Sequence, residues 1–255
     1  NDHILYRYKP IDIIGKGSYG TVLKCVDYKY KIECALKIVK SKKQYKNCMR
    51  KEMNILYRLS EEYINYKKKG IDTHFFTQYL KSFDWRGHGI IAFKLYSKDL
   101  YHAKLGKLPF SAIKVIMIDL FSALIFLKKA NVIHCDLKPE NIMFIDEETY
   151  NVVVGDFGLA KINDLNKLQT DFNVQTCWYR APEVALHIPY SYESDLWSVG
   201  VILMELIIDY PIFRAKTNTD LFYLFIKLLG DNPASMLQLN PELRNFTMMG
   251  NKRIS

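Results

Sequence analysis

Asp136, Lys138 and Asn141 fall within the single stretch IHCDLKPENI, residues 133–142. A carboxylate, an ammonium and an amide held in one loop, stiffened by Pro139, suit transfer of a phosphoryl group. The carboxylate can accept a hydroxyl proton, the amide can bind a metal and the ammonium can balance phosphate charge. A capped helix-to-strand loop is the plain alternative, but it does not demand this order of residue types. A second acid, Asp156, follows a β-branched run in VVVGDFGLA, residues 152–160. An acid at a strand end beside a glycine is a good place for Mg²⁺, although taken alone an ordinary Asp-x-Gly turn explains it better. A third feature is GKGSYG, residues 15–20, with Gly15, Gly17 and Gly20 in G-x-G-x-x-G spacing and Val22 beyond. Glycine tolerates positive φ and lets a backbone approach a ligand closely. This spelling serves two phosphate-binding devices, a loop that opens a helix and a flap that joins two strands. It also occurs in ordinary hairpin turns.

The flanking elements decide between these. Residues 11–39 alternate in strand fashion on both sides of the glycines, and no helix begins at Gly20. That argues against the dinucleotide fold, which needs strand, loop, then helix. Residues 44–60 carry Met49, Met53, Leu56 and Leu59 at helical spacing, and 61–72 reads as a mobile Lys/Tyr/Glu-rich connection. Residues 75–96 read as two further strands with a turn at WRGHG. From about residue 100 the pattern becomes helical, over 111–130, 195–209 and 219–229. A strand-rich first third followed by a helix-rich remainder implies two lobes.

Composition sets the bounds. The chain has 255 residues, 49% apolar and 25% charged, a normal globular balance that supports a sizeable core. The net charge of +9 admits anionic partners, although general solubility and a Lys/Asn/Tyr/Ile-rich coding bias explain it as well. The five cysteines are scattered, without a Cys-x-x-Cys pair, which fits reduced thiols in a nuclear or cytoplasmic, intracellular protein. No signal peptide is found. No apolar run of membrane-spanning length is expected, since 112–127 and 196–208 carry polar residues at helical intervals.

The ordered set formed by the glycine loop, CALK, HCDLKPEN, DFG, APE and DLWSVG resembles a eukaryotic protein kinase over roughly residues 10–230. The resemblance implies an α+β bilobal fold. Residues 1–96 would form a small antiparallel sheet lobe with one main helix, plus the hinge. Residues 97–255 would form a larger, mainly α-helical lobe, incomplete at its C-terminal end. It implies a Ser/Thr protein kinase that transfers the γ-phosphate of ATP to protein hydroxyls with Mg²⁺. Gly15, Gly17 and Gly20 would cover the phosphates and Lys37 would pair with them. Glu52 would be the carboxylate partner of Lys37, ahead of Glu61 or Glu62. Asp136 would be the catalytic base, Lys138 a phosphate-facing cation, and Asn141 and Asp156 the metal ligands. Around the adenine, the resemblance implies Ile14, Val22, Ala35 and Met143, with Phe93 as gatekeeper, the backbone of Lys94 and Tyr96 on the base, and Asp99 toward the ribose. Gly155 would leave extra room behind the base. Several of these are equally well plain core residues.

Lys138 in DLKPEN is the Ser/Thr pattern, and TCWYRAPEV, residues 176–184, resembles the CMGC group. Within it, HCD looks like the dual-specificity tyrosine-regulated branch, and the gap from Lys37 to Glu52 looks like that branch and the LAMMER-type branch, although the LAMMER string itself is absent. Arg180 is associated in that group with a pocket for proline after the phosphorylated residue. Two departures bear on regulation. The arginine that often precedes the catalytic Asp is here Cys135, and a second basic position is Cys177; neither thiol offers a fork of donors to phosphate. Counting back from Tyr179, the usual phosphosites hold Asp171 and Asn173, with Thr170 and Thr176 nearby. The expectation is an active conformation that does not need loop phosphorylation, with Asp171 supplying permanent charge; Thr170 keeps the usual mechanism open. Glu183 should pair with a downstream arginine that the sequence does not reveal, and Asp195 should brace the catalytic loop. A catalytically weak pseudokinase or scaffold is the alternative, and it usually loses one of the residues kept here. Direct nucleic-acid binding is not expected, because the lysines are spread rather than striped. A monomeric catalytic domain acting on protein substrates with Ser/Thr, and no membrane partner, is expected.

Overall fold

The structure is a computed structural model that describes residues 3–17, 20–103, 108–163 and 168–230; the expectation for 231–255 lies outside these. The alternating first third builds five strands, β1 (Tyr8–Lys16), β2 (Gly20–Asp27), β3 (Ile32–Val39), β4 (Tyr79–Trp85) and β5 (His88–Lys94). They form one antiparallel sheet in the order β1-β2-β3-β5-β4. The β4–β5 turn is made by Arg86 and Gly87, both at positive φ (47° and 80°). That backbone hand matches the twist of the flanking strands. Cys25, Cys34, Leu36, Ile90 and Ala92 close a small core on one face of the sheet. Ahead of β1, the Arg7 guanidinium forks onto the buried Asp27 carboxylate at 2.7 and 2.6 Å.

On the other face lies α1 (Lys43–Lys68), which buries Glu52, Met53, Ile55, Leu56 and Leu59. Residues 61–68 therefore belong to the helix rather than to a mobile connection. Tyr63 and Tyr66 carry the inward face two turns further. Tyr66 packs edge-on against Phe75 and Phe126 at 5.5 and 5.3 Å, and Tyr63 against Phe76 at 6.2 Å. These aromatic contacts outweigh the polar composition that made the stretch read as a loop. Lys67 and Lys68 in the last turn suit the helix dipole. Arg58 donates to the carbonyl of Ala130, tying α1 to the second half of the chain.

That half is led by α2 (Phe110–Lys129), whose stripe of Ile113, Ile116, Met117, Leu120, Ala123, Phe126 and Leu127 is buried. Contrary to the sequence expectation, α2 is long and apolar enough to cross a membrane. Its stripe instead fills the main core, together with Val152 and Val154 and with Val199 and Ile202. Asp119 on its flank accepts the Val152 N–H at 2.9 Å. After α2 come the short β6 (Val132–Ile133), the hairpin β7 (Ile142–Asp146) and β8 (Asn151–Val154), and β9 (Lys161–Ile162), which pairs with β6. Helices α3 (Pro182–Ala185), α4 (Glu193–Ile208) and α5 (Asn218–Leu229) follow, the last opened by a Thr217–Asp220 capping box.

The glycine loop closes on β3. A Cβ on Gly20 would lie 2.0 Å from the Ile38 carbonyl oxygen, whereas one on Gly17 would meet nothing within 4 Å. None of Gly15, Gly17 and Gly20 takes a positive φ. Gly20 thus answers to close backbone packing, not to a left-handed turn. Gly20→Ala is expected to lower stability by roughly 1–3 kcal/mol through overpacking, while Gly17→Ala leaves it unchanged. Paired denaturant titrations check this; equal midpoints would contradict the close approach.

Candidate active site

The β7–β8 hairpin delivers two of the expected residues to one end. Ile142 pairs with Val154, and the Gly155 N–H reaches the Asn141 carbonyl at 2.7 Å. Asn141 and Asp156 therefore leave the hairpin side by side. Asp156 sits in the left-handed region, φ 57°, which costs energy for a non-glycine residue and is common at functional sites. The conformation aims its carboxylate at the cleft while Phe157 goes the other way. Phe157 is buried against Phe76 at 6.2 Å and the His134 ring at 4.9 Å.

Lys37 meets Asp156 from the sheet. Val22 pairs with Lys37, Gly15 with Val22, and Ala35 with Phe93. Strand alternation then sets Gly15, Val22, Ala35, Lys37 and Phe93 on one face. The Lys37 ammonium donates to Glu52 at 2.7 and 2.9 Å and to Asp156 at 2.8 Å. Burial opposes its charge, but the two carboxylates outweigh this and hold its pKa above the ordinary lysine value. The Lys37 charge in turn holds Asp156 down at about 2. Burial pushes Glu52 upward against the pull of Lys37. Glu52 is thus the partner, and Glu61 and Glu62 are not.

The loop before β7 forms the opposite wall. Asp136 Oδ1 accepts the Thr176 N–H at 2.9 Å and the Thr176 hydroxyl at 2.7 Å. Asp136 Oδ2 accepts from Lys138 Nζ at 2.9 Å, and that ammonium also reaches Thr176 Oγ1 at 3.0 Å. The Asn141 amide nitrogen donates to the Asp136 carbonyl at 2.8 Å. Buried Asp195 holds the loop from behind, accepting the His134 and Cys135 N–H groups at 2.6 and 2.9 Å, the bracing expected of it. The His134 ring bridges the Gly155 carbonyl at 2.9 Å and the Asp136 N–H at 3.2 Å.

At the far end of the cleft, residues 97–100 pair with β7 through the Ser97 N–H to Phe144 and the Leu100 N–H to Ile142. An isolated bridge joins Asp99 to Met143. The Lys94 N–H is spent on the Gln78 carbonyl at 3.0 Å and is not free for a base; the Tyr96 hydroxyl accepts the Gln78 N–H at 3.1 Å. Asp99 is held by His102 at 2.7 Å rather than free. Ile14 lies at a β1 irregularity between Ile13 and Gly15, half-exposed. The room expected at Gly155 is absent: a Cβ there would meet Thr77 Cγ2 at 2.9 Å. That glycine makes way for Thr77.

Sequence reasoning did not foresee the contacts of three residues, Thr176, Gln175 and Glu205. Thr176 was expected only as part of the activation segment, yet it touches both Asp136 and Lys138. Gln175 stands at φ 62°, with its carbonyl on Arg180 Nη2 at 2.7 Å and its side chain on Ser194, Ser198 and the Ala181 N–H. Arg180 also takes the Val174 carbonyl and Asn218. Glu205, buried on α4, accepts the Tyr179 hydroxyl at 2.7 Å; an acid inside the apolar run LMELII was the available signal. Burial raises the pKa of Glu183, and no cation pairs with it among the described residues.

The donor set suits a divalent cation. The Asn141 amide and the Asp156 carboxylate are hard oxygen ligands. Among the described residues the hydrogen bonds to the Asp156 carboxylate, from Lys37 Nζ and the Gly158 N–H, both fall on Oδ1, and no protein donor reaches Oδ2. The described residues hold no group of three His, Cys, Asp or Glu that would cage a metal alone. Two ligands with the rest left to phosphates and water is how Mg²⁺ is commonly held.

Comparison with known proteins agrees with this geometry. The chain is 35% identical over 251 residues to the dual specificity tyrosine-phosphorylation-regulated kinase mbk-2 of Caenorhabditis elegans, covering 96% of this chain and 30% of that protein. It is 34% identical over 251 residues to dual specificity tyrosine-phosphorylation-regulated kinase 4 of Homo sapiens, covering 96% and 46%. The serine/threonine-protein kinase ppk5 of Schizosaccharomyces pombe is 34% identical over 241 residues, covering 93% and 28%. The chain thus spans less than half the length of these curated relatives. Residues 8–243 match the protein kinase domain. The chain belongs to the protein kinase family.

Proposed function

We propose that the chain is the catalytic domain of a Mg²⁺- and ATP-dependent Ser/Thr protein kinase of the CMGC group, within the dual-specificity tyrosine-regulated branch. Membership of the family implies ATP, a divalent metal cation and protein substrates. The observation that carries the reading is the Lys37 ammonium held between Glu52 and Asp156, facing the Asp136–Lys138–Thr176 cluster across one cleft. The pseudokinase alternative lacks support, because base, strand lysine and both metal-type ligands are kept and the relatives carry kinase names.

The residues then divide the work. The glycine flap and Lys37 orient the phosphates, with Val22, Ala35, Phe93, Met143 and the Lys94 carbonyl around the base. Lys37 keeps its charge because its two carboxylate neighbours favour the protonated form. Asn141 and Asp156 would hold the metal, which would supply positive charge against the phosphates. Asp136 orients the acceptor hydroxyl and takes its proton, and Lys138 balances charge on the transferred group. Positioning and charge neutralisation, not covalent chemistry, supply the rate. Arg180, holding the Val174 and Gln175 carbonyls, supports a preference for proline after the acceptor residue. Catalysis without loop phosphorylation is part of the proposal, supported by buried Cys135 where a phosphate-binding arginine would stand.

The sheet lobe and hinge end at residue 96, because the segment from Ser97 onward pairs with β7 of the helical lobe. Free thiols at all five cysteines support a reducing intracellular compartment, nuclear or cytoplasmic. The domain acts as a monomer on soluble protein substrates, without direct nucleic-acid or membrane binding.

A peptide array with Mg²⁺ and ATP tests the reading. Ser and Thr acceptors followed by Pro are expected to be labelled, and Asp156→Asn to lose at least about a hundred-fold in rate. Labelling that persists in Asp156→Asn, or a parent inert on every acceptor, sinks the assignment. Phe93→Gly is expected to sensitise the enzyme to adenine analogues too bulky for the parent. Unchanged inhibition would remove Phe93 from the adenine wall.

A further inference from the structure

The segment from Gln169 to Thr176 is seated without a phosphate. Gln169 and Tyr190 exchange two backbone hydrogen bonds, each 3.1 Å. The Tyr190 hydroxyl donates to the Asp171 carbonyl at 3.0 Å and lies 4.0 Å from Cys135 Sγ. Phe172 stacks on His187 at 5.0 Å. Ile133, Cys135, Val174, Ala181, Val184 and Tyr190 form one closed apolar cluster beneath. Burial pushes the Cys135 thiol well above its ordinary pKa, so it stays neutral. An arginine at 135 would have to enter this fully buried cluster.

The Asp171 side chain does make an ionic contact. It pairs with Lys161 of β9, and β9 pairs with β6, which sets Lys161 opposite Ile133. Asp171 Oδ1 also accepts the Asn173 N–H at 3.3 Å. The Lys161 hydrogen bond is the main influence holding the Asp171 carboxyl ionised, against burial, and the Asn173 N–H adds to it.

We propose that Asp171 is a permanent anion in place of an activation phosphate, and that Lys161 and Asp171 are positioning residues for Thr176 on Asp136. This deepens the kinase reading and rests on it. The chain of contacts is short. Lys161 fixes Asp171, Tyr190 fixes the same residue through its backbone, and five residues later Thr176 gives its N–H and hydroxyl to Asp136. An ion pair this exposed adds little to global stability. Its effect therefore falls on where the segment sits, and hence on turnover.

The test uses the whole chain, with the phosphate content of residues 168–176 read by mass spectrometry before and after phosphatase. The parent is expected to carry no phosphate there and to keep its activity after treatment. Asp171→Asn and Lys161→Met should each lower kcat about ten-fold, with KM for ATP and the thermal midpoint little changed. The two together should cost no more than either alone. Exchanging the charges, Lys161→Asp with Asp171→Lys, should recover part of the loss, as an effect of the pair requires, and the unchanged thermal midpoint of the single variants separates this from a merely structural role. Full activity in Asp171→Asn, additive losses, or phosphatase-sensitive activity traced to Thr170 would overturn the inference and leave the kinase reading intact. A parent that neither binds ATP nor transfers phosphate would overturn both.

Discussion

One ammonium joins three parts of the chain that are far apart in sequence. Lys37 comes from β3, Glu52 from α1 and Asp156 from the end of β8, and their charged atoms lie within 2.7–2.9 Å. A buried ammonium with no partner would lose its proton, and a buried carboxylate would take one up. Lys37 and the deeply buried Glu52 therefore stay ionised only while they stay together, and the half-exposed Asp156 is drawn to the same ammonium. That makes the sheet, the long helix and the DFG turn mutually dependent. The fold supplies the means on each side. Cross-strand pairing with Val22 and Ile91 fixes Lys37, the packed stripe of α1 fixes Glu52, and the left-handed backbone at Asp156 is held by Phe157 buried beneath.

The second wall is built on the same logic with a different support. Asp195 is wholly inside the protein and gives both oxygens to main-chain N–H groups of the catalytic loop. Burial works against its charge, while His134 and those two N–H groups favour it. Removing the carboxylate would leave two buried donors unsatisfied, each costing about 1–3 kcal/mol. The loop can hold Cys135 at φ 64° because it is pinned on both sides, by Asp195 at its N–H and by the Gln175 N–H at its carbonyl, 2.7 Å away. The same carbonyl contact brings the activation segment to Asp136. Thr176 reaches the carboxylate because the backbone one residue earlier is already docked.

Much of this was legible in the sequence where a motif is local. The strand alternation around the glycines, the HCDLKPEN loop and the DFG turn each encode their own geometry, and Glu52 was readable from the helical stripe beside it. The errors share a cause. Residues 61–68 looked like a loop because the aromatic partners that make them helical, Phe75, Phe76 and Phe126, are supplied by other segments. Gly155 looked like space because nothing nearby in sequence announces Thr77. Gly20 looked like a turn glycine because the Ile38 carbonyl that excludes a side chain lies on another strand. Thr176 and Lys161 carry no pattern of their own; their roles come from pairing across 40 and 10 residues.

Charge balance explains why the cleft mixes an amide with its carboxylates. Lys37 faces two acids, so that side of the cleft carries one excess negative charge, and across it Asp136 is matched by Lys138. A polyphosphate entering this space is itself strongly anionic and would be repelled without added positive charge. A divalent cation on Asp156 reverses the sign locally. A third carboxylate at position 141 would bind that cation more tightly but would also reach Asp136, which the Asn141 amide touches at 2.8 and 3.3 Å through its nitrogen. A carboxylate has no donor to give there, and two acids that close cannot both stay ionised. The amide supplies a neutral oxygen on one side and an N–H on the other. It thereby keeps Asp136 free of an acidic neighbour, as the base role proposed for it requires.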